Sequence, residues 1–172
     1  LHAGPYDTTA TVLLPGSEGS LWLGLGASGT QGSGEGLARL WPDGRRTLWT
    51  VRDGLVDNRV TDLADDGRGG LWIATRGGVS HFGGTTFRNY TRADGLPGHQ
   101  ALSLCRDRRG RLWVGTEGAL AVYDGCTWQY QWLPHLKSIN DLLEDADGSL
   151  WLATEEGLCR YRPQAYRPRV SV

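Results

Sequence analysis

Residues 60–82 read Val60-Thr-Asp-Leu-Ala-Asp-Asp-Gly-Arg-Gly-Gly-Leu-Trp-Ile-Ala-Thr-Arg-Gly-Gly-Val-Ser-His-Phe82. Short apolar patches alternate with Gly- and Asp-bearing breaks, which is strand–turn–strand punctuation. Asp66-Gly-Arg-Gly69 predicts a tight turn: Gly supplies positive φ, and the Asp carboxylate bonds neighbouring amides. In the central patch, Leu71 to Thr75, alternation places Trp72 and Ala74 on one face and Leu71, Ile73 and Thr75 on the other. Apolar groups on both faces predict burial on both. A bulky Trp beside a small residue is what closely stacked sheets require.

This frame returns along the chain. Leu-Trp occurs at Leu21-Trp22, Leu71-Trp72, Leu112-Trp113 and Leu150-Trp151, each preceded two residues earlier by Gly19, Gly69, Gly110 or Gly148. Trp22, Trp72, Trp113 and Trp151 are 50, 41 and 38 residues apart. A period near 40 with four strand-like segments per unit predicts an all-β chain, a β-propeller with four blade repeats of four antiparallel strands. A two-sheet sandwich is the alternative, but it would not generate so regular a repeat.

The unit boundaries follow: a lead-in over residues 1–9, blade repeats over 10–52, 53–93, 94–133 and 134–162, the last incomplete, and an exit segment over 163–172. The first repeat carries a Gly-rich tract, residues 26–36, between its second and third strands. The connection from Trp132 to Ser138 is three residues shorter than its counterparts.

Composition narrows the function classes. A formal charge of −1 creates no global field for nucleic acid or anionic lipid. Of 18 basic residues only Lys137 is lysine, and the arginines are spread through every repeat. No apolar run reaches the ~18 residues of a membrane helix. The chain has no Met, and so reads as a processed or partial sequence. Cys105, Cys126 and Cys159 lack disulfide or zinc spacing, and Cys105 and Cys159 fall in apolar strand segments. Asp145-Ala-Asp147-Gly148 resembles the start of a calcium loop but lacks the distal Glu, so a turn is the better reading. No cofactor or metal is expected. Gly24-Leu-Gly26 opens no helix and has no Gly-Lys-Ser/Thr, and no hydrolase or metalloprotease motif is present. Trp41, Trp49, Trp128 and Trp132 lie outside the frame and are expected to pack on outer strands; His81 is expected to be structural.

The pattern from Asp53 to Val79, Asp-Gly-Leu followed by Val-x-x-Leu-x-x-Asp-x-x-Gly-x-Leu-Trp-Ile-Ala-Thr-x-x-Gly-Val, resembles the two-component regulator propeller repeat. Residues 59–82, 100–123 and 138–161 carry it well, and 10–24 more loosely. The resemblance implies an extracytoplasmic or periplasmic sensor region of a bacterial hybrid histidine kinase or diguanylate cyclase, followed by a β-sandwich connector, a membrane helix and the output module. Residues 161–172 resemble the exit into such a connector. Family members carry more repeats than four, and Leu1–Thr9 is not a recognisable closing strand. Four blades can close alone, form part of a larger ring or complete one with a second copy; a segment of a larger or self-assembled propeller is the expectation.

In such a propeller, the loops entering each innermost strand and those joining strands two and three share one end. The residues there are Asn58, Arg59, Arg76, His99, Gln100, Glu117, His135, Lys137 and Glu155, mixed polar groups suited to a small-molecule or carbohydrate ligand. The expected function is non-catalytic ligand sensing. The alternative is a protein-interaction or self-association scaffold. A propeller lyase or hydrolase ranks third and would need His99, His135 and Glu117 to converge.

Overall fold

A computed structural model describes residues 9–26 and 34–163. The chain folds into four antiparallel sheets, each a meander of consecutive strands. Sheet 1 comprises β1 (Ala10–Pro15), β2 (Leu21–Leu25), β3 (Gly36–Leu40) and β4 (Arg46–Trp49). Sheet 2 comprises β5 (Val60–Asp65), β6 (Leu71–Thr75), β7 (Gly78–Phe82) and β8 (Phe87–Tyr90). Sheet 3 comprises β9 (Ala101–Arg106), β10 (Leu112–Thr116), β11 (Ala119–Tyr123) and β12 (Trp128–Trp132). Sheet 4 has three described strands, β13 (Ile139–Glu144), β14 (Leu150–Thr154) and β15 (Gly157–Tyr161). These are blades of a β-propeller. The Gly-rich tract joins β2 to β3 as expected; its interior, and the lead-in and exit segments beyond residues 9 and 163, lie outside the described residues.

The sheets stack head to tail. Trp22 packs on Leu71 and Ile73 of sheet 2. Trp72 and Ala74 meet Leu112 and Val114 of sheet 3, and Trp113 meets Leu150 and Leu152 of sheet 4. The small residue two places after each Trp admits the next inner strand. A Cβ on Gly24 would lie 2.6 Å from Val60 Cγ1, and one on Gly115 would lie 2.7 Å from Ile139 Cγ2.

Polar staples fix each junction. Thr11 Oγ1 donates to the Val60 carbonyl (2.9 Å), Thr61 Oγ1 to that of Ala101 (2.6 Å), and Ser103 Oγ to that of Ile139 (2.9 Å). Thr11 and Thr61 sit where the inner-strand register shifts, so the bulge aims the hydroxyl at the neighbouring sheet. Asp62 adds a second tie, accepting Leu63 N (2.8 Å) and, across the junction, Leu104 N (2.6 Å). Burial nevertheless pushes the Asp62 carboxyl above its ordinary value, against the lowering effect of those two amides.

The innermost strands β1, β5, β9 and β13 follow one another in order, and β13 makes no comparable contact with β1 among the described residues. The four sheets form an open arc. Burial on both faces, expected for every Leu-Trp strand, holds for β6 and β10 but not for β2 or β14. Sheet 1 exposes its aliphatic face through Leu13 (56%), and sheet 4 exposes its Trp face through Leu158 (69%) and Leu143 (66%).

Successive sheets are joined by one-turn 3-10 helices. Thr50 and Asp53 form a reciprocal cap, with Arg52 N donating to Thr50 Oγ1 (3.2 Å) and Thr50 N to Asp53 Oδ2 (2.8 Å). Thr91 and Asp94 repeat it. Gly54 (φ 106°) and Gly95 (φ 99°) then turn the chain so that Leu55 and Leu96 are buried. The shorter third connection replaces this device with Pro134–Leu136, and Leu136 is the buried residue.

Candidate functional site

Antiparallel meanders place the crossovers and the second-to-third turns at one end of every strand. All nine residues expected at a binding rim are therefore at that end. In sheet 2, Asp57 holds Arg59 through its Nε (3.1 Å) and Nη2 (2.9 Å), and Arg76 N donates to the Arg59 carbonyl (3.2 Å). Burial raises the Asp57 carboxyl, but the Arg59 bonds outweigh it and hold the group below its ordinary value. Asn58 is a structural tie: its Oδ1 accepts Val51 N (2.8 Å) and its carbonyl accepts Gly36 N of sheet 1 (2.9 Å).

In sheet 3, Gln100 Nε2 donates to Glu117 Oε1 (3.2 Å), and His99 Nε2 lies 3.1 Å from Arg92 Nη1. In sheet 4, Ser138 Oγ donates to Glu155 Oε1 (2.6 Å), and Lys137 forms an ion pair with Glu156 that raises its ammonium above the ordinary lysine value. A bridge between Glu117 and Ser138 unites the rims of sheets 3 and 4. Lys137 itself adopts positive φ (52°). His135 is exposed on its one-turn helix. His99 and Glu117 are engaged by Arg92 and Gln100, and no hydrogen bond joins them to each other or to His135 among the described residues. The geometry gathers polar donors and acceptors in series along the rim; it does not assemble an acid–base trio.

The frame tryptophans each carry a cation or ring from the adjoining strands. Arg39 lies over Trp22 (5.0 Å), His81 over Trp72 (4.3 Å), Arg111 over Trp113 (5.0 Å) and Arg160 over Trp151 (5.2 Å). His81 is structural, with Nε2 2.8 Å from Asp66 Oδ2. The turn Asp plays the same part elsewhere: Asp107 accepts Trp113 Nε1 (2.9 Å) and Arg111 Nε (2.7 Å), and Asp145 accepts Trp151 Nε1 (3.0 Å). In the calcium-like Asp145–Gly148 turn, the Arg160 guanidinium bonds both Asp145 (3.0 Å) and Asp147 (2.8 Å), which makes the segment a cross-braced turn. Of the tryptophans outside the frame, Trp49 and Trp128 pack against the cores, whereas Trp132 is exposed beside Tyr130. Cys105 and Cys159 are half-buried against the core between sheets 3 and 4, and Cys126 is exposed.

The capping residues Thr50, Asp53, Thr91 and Asp94 and the staples Thr61, Asp62 and Ser103 were missed by sequence reasoning. Thr-x-x-Asp-Gly-Leu at 50–55 and 91–96 was the available signal for the caps.

Residues 54–77, 95–118 and 133–156 match the family described as two component regulator propeller. No curated protein matches the chain. Among solved structures, the fold is similar to the extracellular domain of a protein named as the hybrid two component system BT3049 of B. thetaiotaomicron, at 21% identity and a TM-score of 0.74, over 88% of this chain and 21% of that one. The extracellular domain of BT4673 from the same organism, named as a one component system, gives 24% identity and a TM-score of 0.78, over 95% and 22%. The chain thus spans about a fifth of those domains. Virginiamycin B lyase from Staphylococcus aureus, solved with quinupristin, is similar at 15% identity and a TM-score of 0.69, over 99% and 59%. These likenesses are of fold.

Proposed function

This chain carries two component regulator propeller repeats, and from that premise we propose that it is a non-catalytic, ligand-sensing segment of an extracytoplasmic bacterial receptor. The observation that carries the reading is the rim: polar side chains from separate loops, at one end of a scaffold whose β6 and β10 strands are buried on both faces. Gln100–Glu117, Ser138–Glu155 and Lys137–Glu156 hold their groups ready, so a ligand meets ordered donors and acceptors rather than mobile ones. Such a series suits a polyhydroxylated molecule, and the likeness to the extracellular domains of BT3049 and BT4673 agrees with the location. A shift on binding would leave through the segment after Tyr161 toward an output domain.

Thermal unfolding with a panel of neutral sugars and polyols tests this. A ligand present at 100 times its Kd adds about 2.7 kcal/mol to stability. The gain should shrink in His99→Ala and Lys137→Ala. A flat response across the panel would remove the sensing reading.

A second reading, an association scaffold, is favoured by the open ends of the arc. Asn140 and Asp141 occupy the places of Thr61 and Asp62. Asp141 accepts Leu142 N (2.8 Å) as Asp62 accepts Leu63 N, but its other oxygen accepts no hydrogen bond among the described residues. Self-association would show as a mass rising with concentration in sedimentation, and Leu158→Glu should suppress it.

A further inference from the structure

At the end of the sheets opposite the rim, where the first-to-second and third-to-fourth turns lie, a cavity of about 580 Å³ opens between sheets 2 and 3. Its floor is aromatic, formed by the buried rings of Trp72, Tyr90 and Tyr123. Its walls carry five arginines, Arg68, Arg88, Arg106, Arg108 and Arg109, against two carboxylates, Asp66 and Asp124.

Both carboxylates are engaged locally. Asp66 binds His81 and accepts Arg68 N (2.7 Å) and Gly70 N (2.8 Å); Asp124 accepts Cys126 N (2.9 Å) and Thr127 N (2.8 Å). Arg88 lies over the Tyr90 ring (5.1 Å), and Arg108 donates to the Ala146 carbonyl (2.9 Å) and faces Glu144 (3.7 Å). The guanidinium groups of Arg68, Arg106 and Arg109 have no hydrogen-bond or ion-pair partner among the described residues. Arg106 reaches from sheet 3 to the sheet 2 turn, where a Cβ on Gly67 would strike its guanidinium.

The next cleft, between sheets 3 and 4, is built differently. There Arg111 pairs with Asp107 (2.7 Å), and Arg160 with Asp145 and Asp147. Packing alone therefore does not demand unpaired arginines at these turns. Like charges facing one another across a cleft repel, and an oxyanion taken by planar guanidinium forks converts that repulsion into charge-assisted hydrogen bonds. The buried aromatic floor strengthens such bonds by screening one side of the cleft from water.

We infer that the cleft between sheets 2 and 3 binds a small polyanion bearing at least two phosphate or sulfate groups. One group is taken by Arg68 on the sheet 2 wall, the other by Arg106 and Arg109 on the sheet 3 wall. The site lies at the opposite end of the strands from the rim and does not depend on sensing there.

Calorimetric titration of the 172-residue chain at low salt, with tripolyphosphate and with a sulfated chondroitin hexasaccharide, tests this. At least one probe should bind, and the one that binds assigns phosphate or sulfate as the group. Arg106→Ala/Arg109→Ala should weaken binding by about tenfold per arginine removed. Arg106→Lys/Arg109→Lys should fall between, since charge remains and the fork is lost. Arg160→Ala in the neighbouring cleft and Lys137→Ala at the rim should change affinity less than about twofold. Absence of binding for both probes overturns the inference. So does an equal loss in all the basic variants, which would indicate general attraction rather than a site.

Discussion

Sheets 2 and 4 are written in the same sequence frame and have different fates. Val79 of sheet 2 and Leu158 of sheet 4 occupy equivalent places, each paired with the small residue two after the frame Trp. Val79 is fully buried, while Leu158 is 69% exposed. Leu13 of sheet 1 stands where Leu63, Leu104 and Leu142 stand in the other sheets, and of the four it alone is exposed. The comparison shows that burial in this fold belongs to the junction and not to the strand. A Leu-Trp strand supplies half of an interface, and the next sheet supplies the other half. The two uncovered faces, aliphatic on sheet 1 and Trp-bearing on sheet 4, are the two halves of that same junction.

The largest test contrasts the frame tryptophans. Trp72→Ala removes a ring packed between two sheets and should cost about 3–5 kcal/mol in denaturant unfolding, whereas Trp151→Ala, on an open face, should cost far less. Equal losses would mean that sheet 4 is covered within this chain. Next, Leu120→Ala beneath Trp113 should cost about 3 kcal/mol, and Leu158→Ala should stay within about 0.5 kcal/mol.

A smaller effect separates the turn aspartates. Asp107 is almost fully buried, and Asp107→Asn removes its charge and turns one of its two accepting oxygens, each holding two donors, into a donor, at about 2 kcal/mol. Burial raises the Asp107 carboxyl, but hydrogen bonds from Trp113 and Arg111 outweigh it and hold the group below 3.8. Its contribution is thus complete above that value and is lost as pH falls through the lower folded pKa. Acid unfolding of Asp107→Asn should therefore be shallower than that of the parent chain. The half-buried Asp145, more open than Asp107, should show the weaker dependence, and the reverse order would contradict the assigned burial.

Much of this organisation was legible in the sequence. Trp72 with Ala74, and Trp113 with Gly115, announced stacked sheets, and Asp-x-x-Gly located the turns. The rim was legible because meander topology fixes at which of the two ends each loop lies. What binds there was not, since Asn58 and Lys137 look alike as polar loop residues, yet Asn58 is a backbone tie and Lys137 an exposed ion pair. The open faces were hidden because Leu158 and Val79 differ only in what lies beyond them. The arginine cleft was hidden because Arg106 and Arg109 read as ordinary turn residues until the neighbouring sheet shows which charges lack partners.

The open arc is tested most directly by pulsed electron paramagnetic resonance between spin labels on Leu13→Cys and Leu143→Cys, with Cys105, Cys126 and Cys159 replaced. Labelled protein is diluted into unlabelled chain, so that only distances within one molecule register. The account predicts a separation well beyond the ~10 Å spacing of packed sheets. A distance near that spacing would mean that sheets 1 and 4 close on each other, and would contradict it.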